Sequence, residues 1–471
     1  MIRGNGAVGS LAVDANLILA NSQRFDLGFK LALADSWLRE TESSYPEKAY
    51  LGHIEAFNGF FEAEPRKACE QDFLDSFELL VKDLGGGNPL RSEIPVGSNG
   101  QVVDGSHRLA VAALLGLSVP VSHSNEAPTY DYRFFLARGL KDELADYGAI
   151  QRAKFDPTVR IVVHSPVVTP EQSEIFNQEL ARYGGFVIYE KSLRLTFNGL
   201  VNLFRVLYPV EAGNNWIGNR DNCFEGARQR AKLAGSRGPV VVKLVGGASE
   251  KDLLLLKEDF RSFVGNGNPA CHTTDSSEET YSISRELFNP VAQEVLRGNT
   301  GSLNIDMKQI ETIDSAASGG NWLVGGSSVL EVFGLRRARD IDVFFQLAPT
   351  LEPLPGFDYS VFEEGPSGHS IADLVEDPKM SFTFLGVRFL SPKAVIALKR
   401  QRLEWPKDYI DLLLLGSLRA PSIVIRVFRL ALEGLTFNYP KAILGLGKKL
   451  LDMIYVSGFG RFFRNRRRPS N

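Results

Sequence analysis

Apolar and polar positions alternate differently in three successive stretches of the chain, and a basic tail follows them. In the first stretch, apolar residues recur at helical spacing over residues 27–40 and 71–84, which predicts two helices. "IPV" and "QVV" flank Asn99-Gly100, a residue pair suited to type I′ turns, so a hairpin is expected there. An Ala/Leu-rich helix and a strand around "VPV" come next, and residues 130–147 read as one further helix. From about Pro157 the pattern changes to apolar runs alternating with helical segments. "VRIVVHSPVV", "FVIYE" and "GPVVVKLVGG" read as strands, and "EQSEIFNQELARYG" and "KDLLLLKEDFRSFVG" as helices, which suggests an α/β domain. After a linker at 297–304, the helix "MKQIETIDSAASG" leads to a strand "WLVGG", a short helix "SSVLEVFG" and a strand "RDIDVFF". "SPKAVIALKRQRL" and "KDYIDLLLLGSL" close this unit as helices.

A chain of 471 residues exceeds a single compact core. The expectation is an α/β (α+β) multidomain protein, divided at 1–150, 151–300, 301–418 and a tail at 419–471. Hydrophobic content of 44% and charged content of 23% suit a soluble globular protein. Cys69, Cys223 and Cys271 lie far apart, so neither a disulfide scaffold nor a zinc module is expected, and a reducing cytoplasm is. Asp14 interrupts the apolar N-terminus, which argues against a cleaved signal peptide. A net charge of -3 argues against whole-surface binding to nucleic acid. The charge is nevertheless uneven: the last 53 residues carry 11 Lys+Arg and 2 Asp+Glu, so the rest is strongly acidic.

The unusual chemistry lies at "WLVGGSSVLEVFGLRRARDIDVFF". An unpaired buried carboxylate is costly, so Asp340 and Asp342 in an apolar strand need compensation. Strand alternation would put both on one face, about 7 Å apart, where they can share Mg²⁺. Gly325 and Gly326 would open a helix whose free N–H groups, with Ser327 and Ser328, suit a phosphate. The alternative is that the aspartates pair with Arg336, Arg337 and Arg339. Hydrophobic–Gly-Gly-Ser followed about a dozen residues later by Asp-x-Asp resembles the polymerase-beta-type nucleotidyltransferase superfamily. The run of Lys399, Lys407, Asp408 and Asp411 is similar to minimal bacterial members, and the likeness covers about residues 310–416. This resemblance implies a nucleoside triphosphate (ATP or CTP) held at Gly325, Gly326, Ser327 and Ser328. It also implies Mg²⁺ on Asp340 and Asp342 and a substrate contact from Lys399. A third carboxylate acting as metal ligand and base is implied too; Asp358, Glu363 and Asp373 are candidates, with Asp373 preferred and His369 nearby.

"GQVVDGSHRLAVAALLGLSVPV" is a second phosphate-type signal. Asp104-Gly105 ends a strand, and Ser106, His107 and Arg108 open a helix, where a guanidinium and N-terminal amides could grip a phosphate together. This resembles the ParB/sulfiredoxin-like fold over about residues 70–125, which implies a nucleotide site at Asp104–Arg108. Ser106 stands where sulfiredoxins have cysteine, so sulfinic-acid reduction is not expected. A kinase of this fold would need an acidic base, Asp104 or Glu93. No basic recognition helix follows Leu117, as DNA-binding members would have. A structural Asp104–Arg108 ion pair is the competing reading.

Asn215, Trp216 and Asn219 form a ligand-loop candidate, and His272 and Asp275 stand at a helix start with capping character. His53, His123 and His164 show no metal spacing. Three readings of the tail stand: an anionic membrane surface, single-stranded nucleic acid, or a docked helix. The whole points to Mg²⁺-dependent nucleotidyl or phosphoryl transfer to an unspecified acceptor, in the cytoplasm at the inner membrane face. The domain combination also looks similar to bacterial proteins of surface-polysaccharide gene clusters. A non-catalytic nucleotide-binding scaffold and a ParB-like regulator on nucleic acid are the alternatives.

Overall fold

The structure is a computed structural model. It describes residues 11–418 except 65, 91, 210–212, 220, 236–237, 299–306, 318–320, 363–368 and 405–406. The basic tail, Glu363 and most of the expected linker therefore lie outside the described residues. The chain forms two compact units, Met1–Arg402 and Leu403–Asn471, so the division falls between the last two expected helices, ahead of the tail. The expected mixture of helix and strand is present, in three small sheets.

The N-terminal sheet holds β1 (Leu11–Asp14), β2 (Ile94–Val96) and β3 (Ser118–His123) in the order β1-β3-β2. The Asn99-Gly100 hairpin is short: Val96 bridges Val102, Gly97 N–H donates to Gln101 O at 2.8 Å, and Gly100 has φ +75°. The helix Leu27–Leu38 is buried on nearly every side and so needs no amphipathic stripe. It crosses the helix Asp142–Phe155 backbone to backbone. A Cβ on Gly28 would lie 2.1 Å from the Gly148 carbonyl oxygen. The single helix expected at 130–147 is two, Tyr132–Ala137 and Asp142–Phe155, because Gly139 takes φ +92° between them.

The middle sheet holds β4 (Arg160–His164), β5 (Phe186–Leu193), β6 (Val240–Gly246) and β7 (Cys271–Thr273), ordered β5-β6-β4-β7. All its pairs are antiparallel, an α+β arrangement of two interleaved βαβ units. Phe176 and Leu180 from one crossover helix, and Leu253, Leu256 and Phe260 from the other, pack into one cluster with Val162 and Val245. Both helices thus cover the same face of the sheet.

The third sheet holds β8 (Trp322–Val324), β9 (Ile341–Phe345), β10 (Phe357–Val361), β11 (Ser381–Phe384) and β12 (Val387–Leu390). Its order is β10-β9-β8-β12-β11, with β8–β9 antiparallel and β9–β10 parallel. Val343, Phe345, Phe382 and Phe389 are buried in its core. Two carboxylates tie this sheet's segment to the rest of the chain. Glu286, on the helix Ser277–Leu287, accepts the N–H groups of Leu385 (3.0 Å) and Gly386 (3.2 Å) at the β11–β12 turn. Asp373 accepts the Ser44 N–H (2.8 Å) and hydroxyl (2.9 Å), tying the sheet's helix Ile371–Glu376 to the N-terminal region. In the second unit, Asp408 accepts the Glu404 N–H at 2.9 Å ahead of the helix Lys407–Ser417.

Candidate functional site

The glycine pair after β8 is dictated by the side chains of β9. Gly325 N–H donates to the Asp342 carbonyl at 2.9 Å, which holds the turn against the neighbouring strand. A Cβ on Gly325 would fall 2.3 Å from the Phe344 ring. A Cβ on Gly326, which has φ +56°, would fall 1.6 Å from Asp342 Oδ2. Asp342 and Phe344 therefore share the sheet face that the turn covers, while Val343 and Phe345 fill the core behind it. Ser327 and Ser328 are buried in the short helix Gly326–Val332. Glu331 accepts the Ala338 N–H at 2.6 Å and so closes the loop that returns to β9.

Asp340 lies one residue before β9 and is exposed, so of the two aspartates only Asp342 lies within the strand. Asp340, Arg337 and Arg339 form no ion pair among the described residues, which removes two of the arginines as partners of Asp340. A further carboxylate stands on the neighbouring strand. Asp358 is the register partner of Asp342 across the parallel β9–β10 pair, Phe357 faces Ile341, and Tyr359 faces Val343. Adjacent parallel strands are about 4.8 Å apart, so Asp342 and Asp358 are immediate neighbours on one face. Asp358 is exposed.

Asp373 does not join them. Besides Ser44, its carboxylate takes hydrogen bonds from the hydroxyls of Ser43 (3.4 Å) and Ser370 (3.2 Å), and its role is to hold a helix start and a domain contact. Burial would raise its pKa, and those hydrogen bonds lower it overall. Lys399 is buried on the helix Pro392–Arg402, and Asp408 and Asp411 are buried on the helix Lys407–Ser417. His369 is half-buried. The carboxylates of Asp340, Asp342 and Asp358 are the hard oxygen donors that Mg²⁺ prefers. Among the described residues, however, no three His, Cys, Asp or Glu side chains are drawn around one point. The donor set fits the ion in kind, with its side chains not closed.

The chain matches no protein-family model, no curated protein and no solved structure.

The second predicted site is folded differently from a phosphate grip. Arg108 donates to Asp104 (3.1 Å), to the Glu93 carbonyl (3.0 Å) and to the Ser92 hydroxyl, so its guanidinium is occupied by the protein itself. Gly105, at φ +81°, leaves room for it: a Cβ there would meet the guanidinium at 2.7 Å. The Asp104–Arg108 pair is thus formed, with Asp104 largely exposed. Ser106 is buried and receives a hydrogen bond from Lys30 Nζ at 2.6 Å, while His107 Nε2 meets the Tyr50 hydroxyl at 2.9 Å. Burial lowers the His107 pKa well below its usual value.

Beneath this junction lies a buried charge cluster that the sequence reading missed. Arg24 pairs with Asp26 at 2.8 Å, and Lys30 pairs with the second Asp26 oxygen. Burial would raise the Asp26 pKa, but the Arg24 and Lys30 charges overcome it and hold the carboxyl well below the usual range. Burial pushes Lys30 down to about 8 against the pull of Asp26. The i,i+4 spacing of Asp26 and Lys30 was the available signal; nothing in the pattern told that both are buried. Nearby, His53 stacks flat on Phe29 at 4.9 Å, and burial lowers its pKa to about 3.

Proposed function

We propose that the β8–β9–β10 face carries Mg²⁺-dependent nucleotidyl or phosphoryl transfer. The observation that supports it is the register of Asp358 beside Asp342, with Gly326 pressed against the Asp342 carboxylate. Asp340 and Asp342 would hold Mg²⁺, which when bound neutralises phosphate charge and orients the leaving group. Gly326 leaves space at the Asp342 carboxylate that any side chain would fill. Asp358, exposed on the strand beside Asp342, would take the proton of an acceptor hydroxyl. It replaces Asp373 as the third carboxylate of the reading. A polyhydroxy acceptor of the kind met in surface-polysaccharide synthesis remains the proposed context.

The test is incubation with each labelled nucleoside triphosphate, Mg²⁺ and candidate hydroxyl acceptors, comparing wild type with Asp342→Asn and Asp358→Asn. Pyrophosphate release signals nucleotidyl transfer and nucleoside diphosphate signals phosphoryl transfer. Neither product from wild type would sink the catalytic reading. Mg²⁺-dependent nucleotide binding without turnover would favour the scaffold instead, a reading supported by carboxylates not drawn around one point.

A further inference from the structure

The helix Ser277–Leu287 meets the third sheet at the β11–β12 turn. Phe384 and Val387 pair across that turn, so Leu385 and Gly386 alone make it. Both have positive φ, +50° and +78°, a two-residue hairpin geometry that ordinarily selects Asn-Gly. A leucine in that conformation is strained and persists only where its surroundings enforce it. The enforcing group is the Glu286 carboxylate, which takes both turn N–H groups. The end of the helix is thereby fixed against the turn.

That clamp sets two arginines near each other. Arg285 precedes Glu286 on the helix, and Arg388 follows Gly386 by two residues on β12, opposite Thr383. Of the charges around Arg388, that of Arg285 acts on it most strongly. Burial, and after it this like charge, lower the Arg388 pKa below its usual value. Tyr281, Glu376 and Asp314 pull the other way, each more weakly. The Arg285 guanidinium lies over the Tyr281 ring at 4.8 Å. Among the described residues neither guanidinium makes a hydrogen bond or an ion pair. Both side chains are half-buried. Of their nitrogens only Arg285 Nε is sealed off without a partner, so the others open to solvent.

Other arginines of this chain are neutralised by it: Arg24 pairs with Asp26, Arg108 with Asp104 and Arg152 with Asp156. Arg285 and Arg388 instead form a like-charged pair, and arginine keeps its charge in proteins. Holding two such charges together in a partly desolvated recess costs free energy unless an anion joins them. One guanidinium fork satisfies a planar carboxylate, whereas two forks side by side suit the several oxygens and double charge of phosphate.

We propose that Arg285 and Arg388 jointly bind a phosphate group, free or carried by a small metabolite. Its oxygens accept N–H groups from Arg285 on the helix and from Arg388 on β12, so the bound anion bridges the helix and the third sheet. The site uses none of the residues proposed for transfer and does not rest on that reading.

The test uses the full chain in a phosphate-free chloride buffer of constant ionic strength, without divalent metal, and follows calorimetric heat and thermal melting. The probes are inorganic phosphate, glucose 6-phosphate, glucose and acetate. Saturable binding of a phosphate-bearing probe is expected, with a rise in Tm, and little response to glucose or acetate. Tighter binding of glucose 6-phosphate assigns the site to phosphorylated metabolites, and equal or tighter binding of inorganic phosphate assigns it to the free ion. Arg285→Met and Arg388→Met should each weaken binding about tenfold or more. Asp342→Asn and Arg108→Gln should bind as wild type does. Without phosphate, Arg388→Met should melt no lower than wild type, because it removes a repulsion. A lower melting temperature with unchanged phosphate affinity would mean that the chain itself neutralises Arg388, and overturns the proposal. So does absence of saturation by either phosphate-bearing probe at about 10 mM, a concentration that still reveals about millimolar affinity. If Arg388→Met fails to fold, wild type and Arg285→Met still decide.

Discussion

Gly326→Ala is the sharpest probe of the carboxylate face. Two costs follow from the geometry. Alanine must adopt the left-handed backbone at φ +56°, which costs about 1–2 kcal/mol. Its Cβ would also stand 1.6 Å from Asp342 Oδ2, where a real contact needs about twice that distance, so the carboxylate must retreat by more than about 1 Å. A displacement of that size at a reacting group costs about a hundredfold in rate. Gly59→Ala is the matched control. Gly59 has φ +64° with nothing near its absent Cβ, so alanine there meets the same backbone strain without a clash. The expected outcome is a small drop in Tm for Gly59→Ala and a larger one for Gly326→Ala, which adds the clash to the same backbone cost. Mg²⁺-dependent product release should fall about a hundredfold in Gly326→Ala and stay near wild type in Gly59→Ala. Wild-type turnover by Gly326→Ala, in a folded protein, would refute the idea that Asp342 works against this turn.

Asp358→Asn should abolish product release by about a thousandfold, whereas Asp373→Asn should lower Tm and leave turnover within a few-fold, as steady-state assays with matched thermal melts would show; the reverse order would restore Asp373 as the third carboxylate. Asp26→Asn leaves Arg24 and Lys30 facing each other in the core, so urea unfolding should show a loss of about 3–5 kcal/mol, and a loss below about 1 kcal/mol would contradict the buried network. Burial pushes Glu286 up to about 7 from an ordinary value of 4.5, against two backbone N–H groups that favour its charge. Its folded pKa is therefore raised. Its contribution to stability is full below pH 4.5 and declines as pH rises toward about 7, by about 3 kcal/mol at most. Glu286→Gln should flatten that decline in denaturant titrations across the window, and an unchanged pH profile would argue that Glu286 is hydrated.

Most helices and strands were legible because apolar spacing is a local property. The pattern at 71–84 became the helix Glu70–Gly85, and "KDLLLLKEDFRSFVG" became Glu250–Val264. The glycine pair of "WLVGGSS" and the strand of "DIDVFF" also form where their residue types require, since a turn and an alternating strand need only near neighbours. Strand pairing was not legible. The middle strands alternate with helices as parallel ones do, yet they pair antiparallel, because order in a sheet is set by how separate helices cover one face. The carboxylate neighbour of Asp342 could not be chosen from sequence for the same reason. Asp358 and Asp373 both follow Asp342 along the chain, and only the β9–β10 register puts one beside Asp342 while the other is bound by Ser44. Likewise Arg108 and Asp104 lie one helical turn apart, so their pair was foreseeable, but the burial of Lys30 under Ser106 arises between residues 76 apart. Residue types and their local spacing determined the local elements and which polar groups each one carries. Which of those groups meet was decided by non-local packing, because contact between distant segments depends on register and burial that no local window contains.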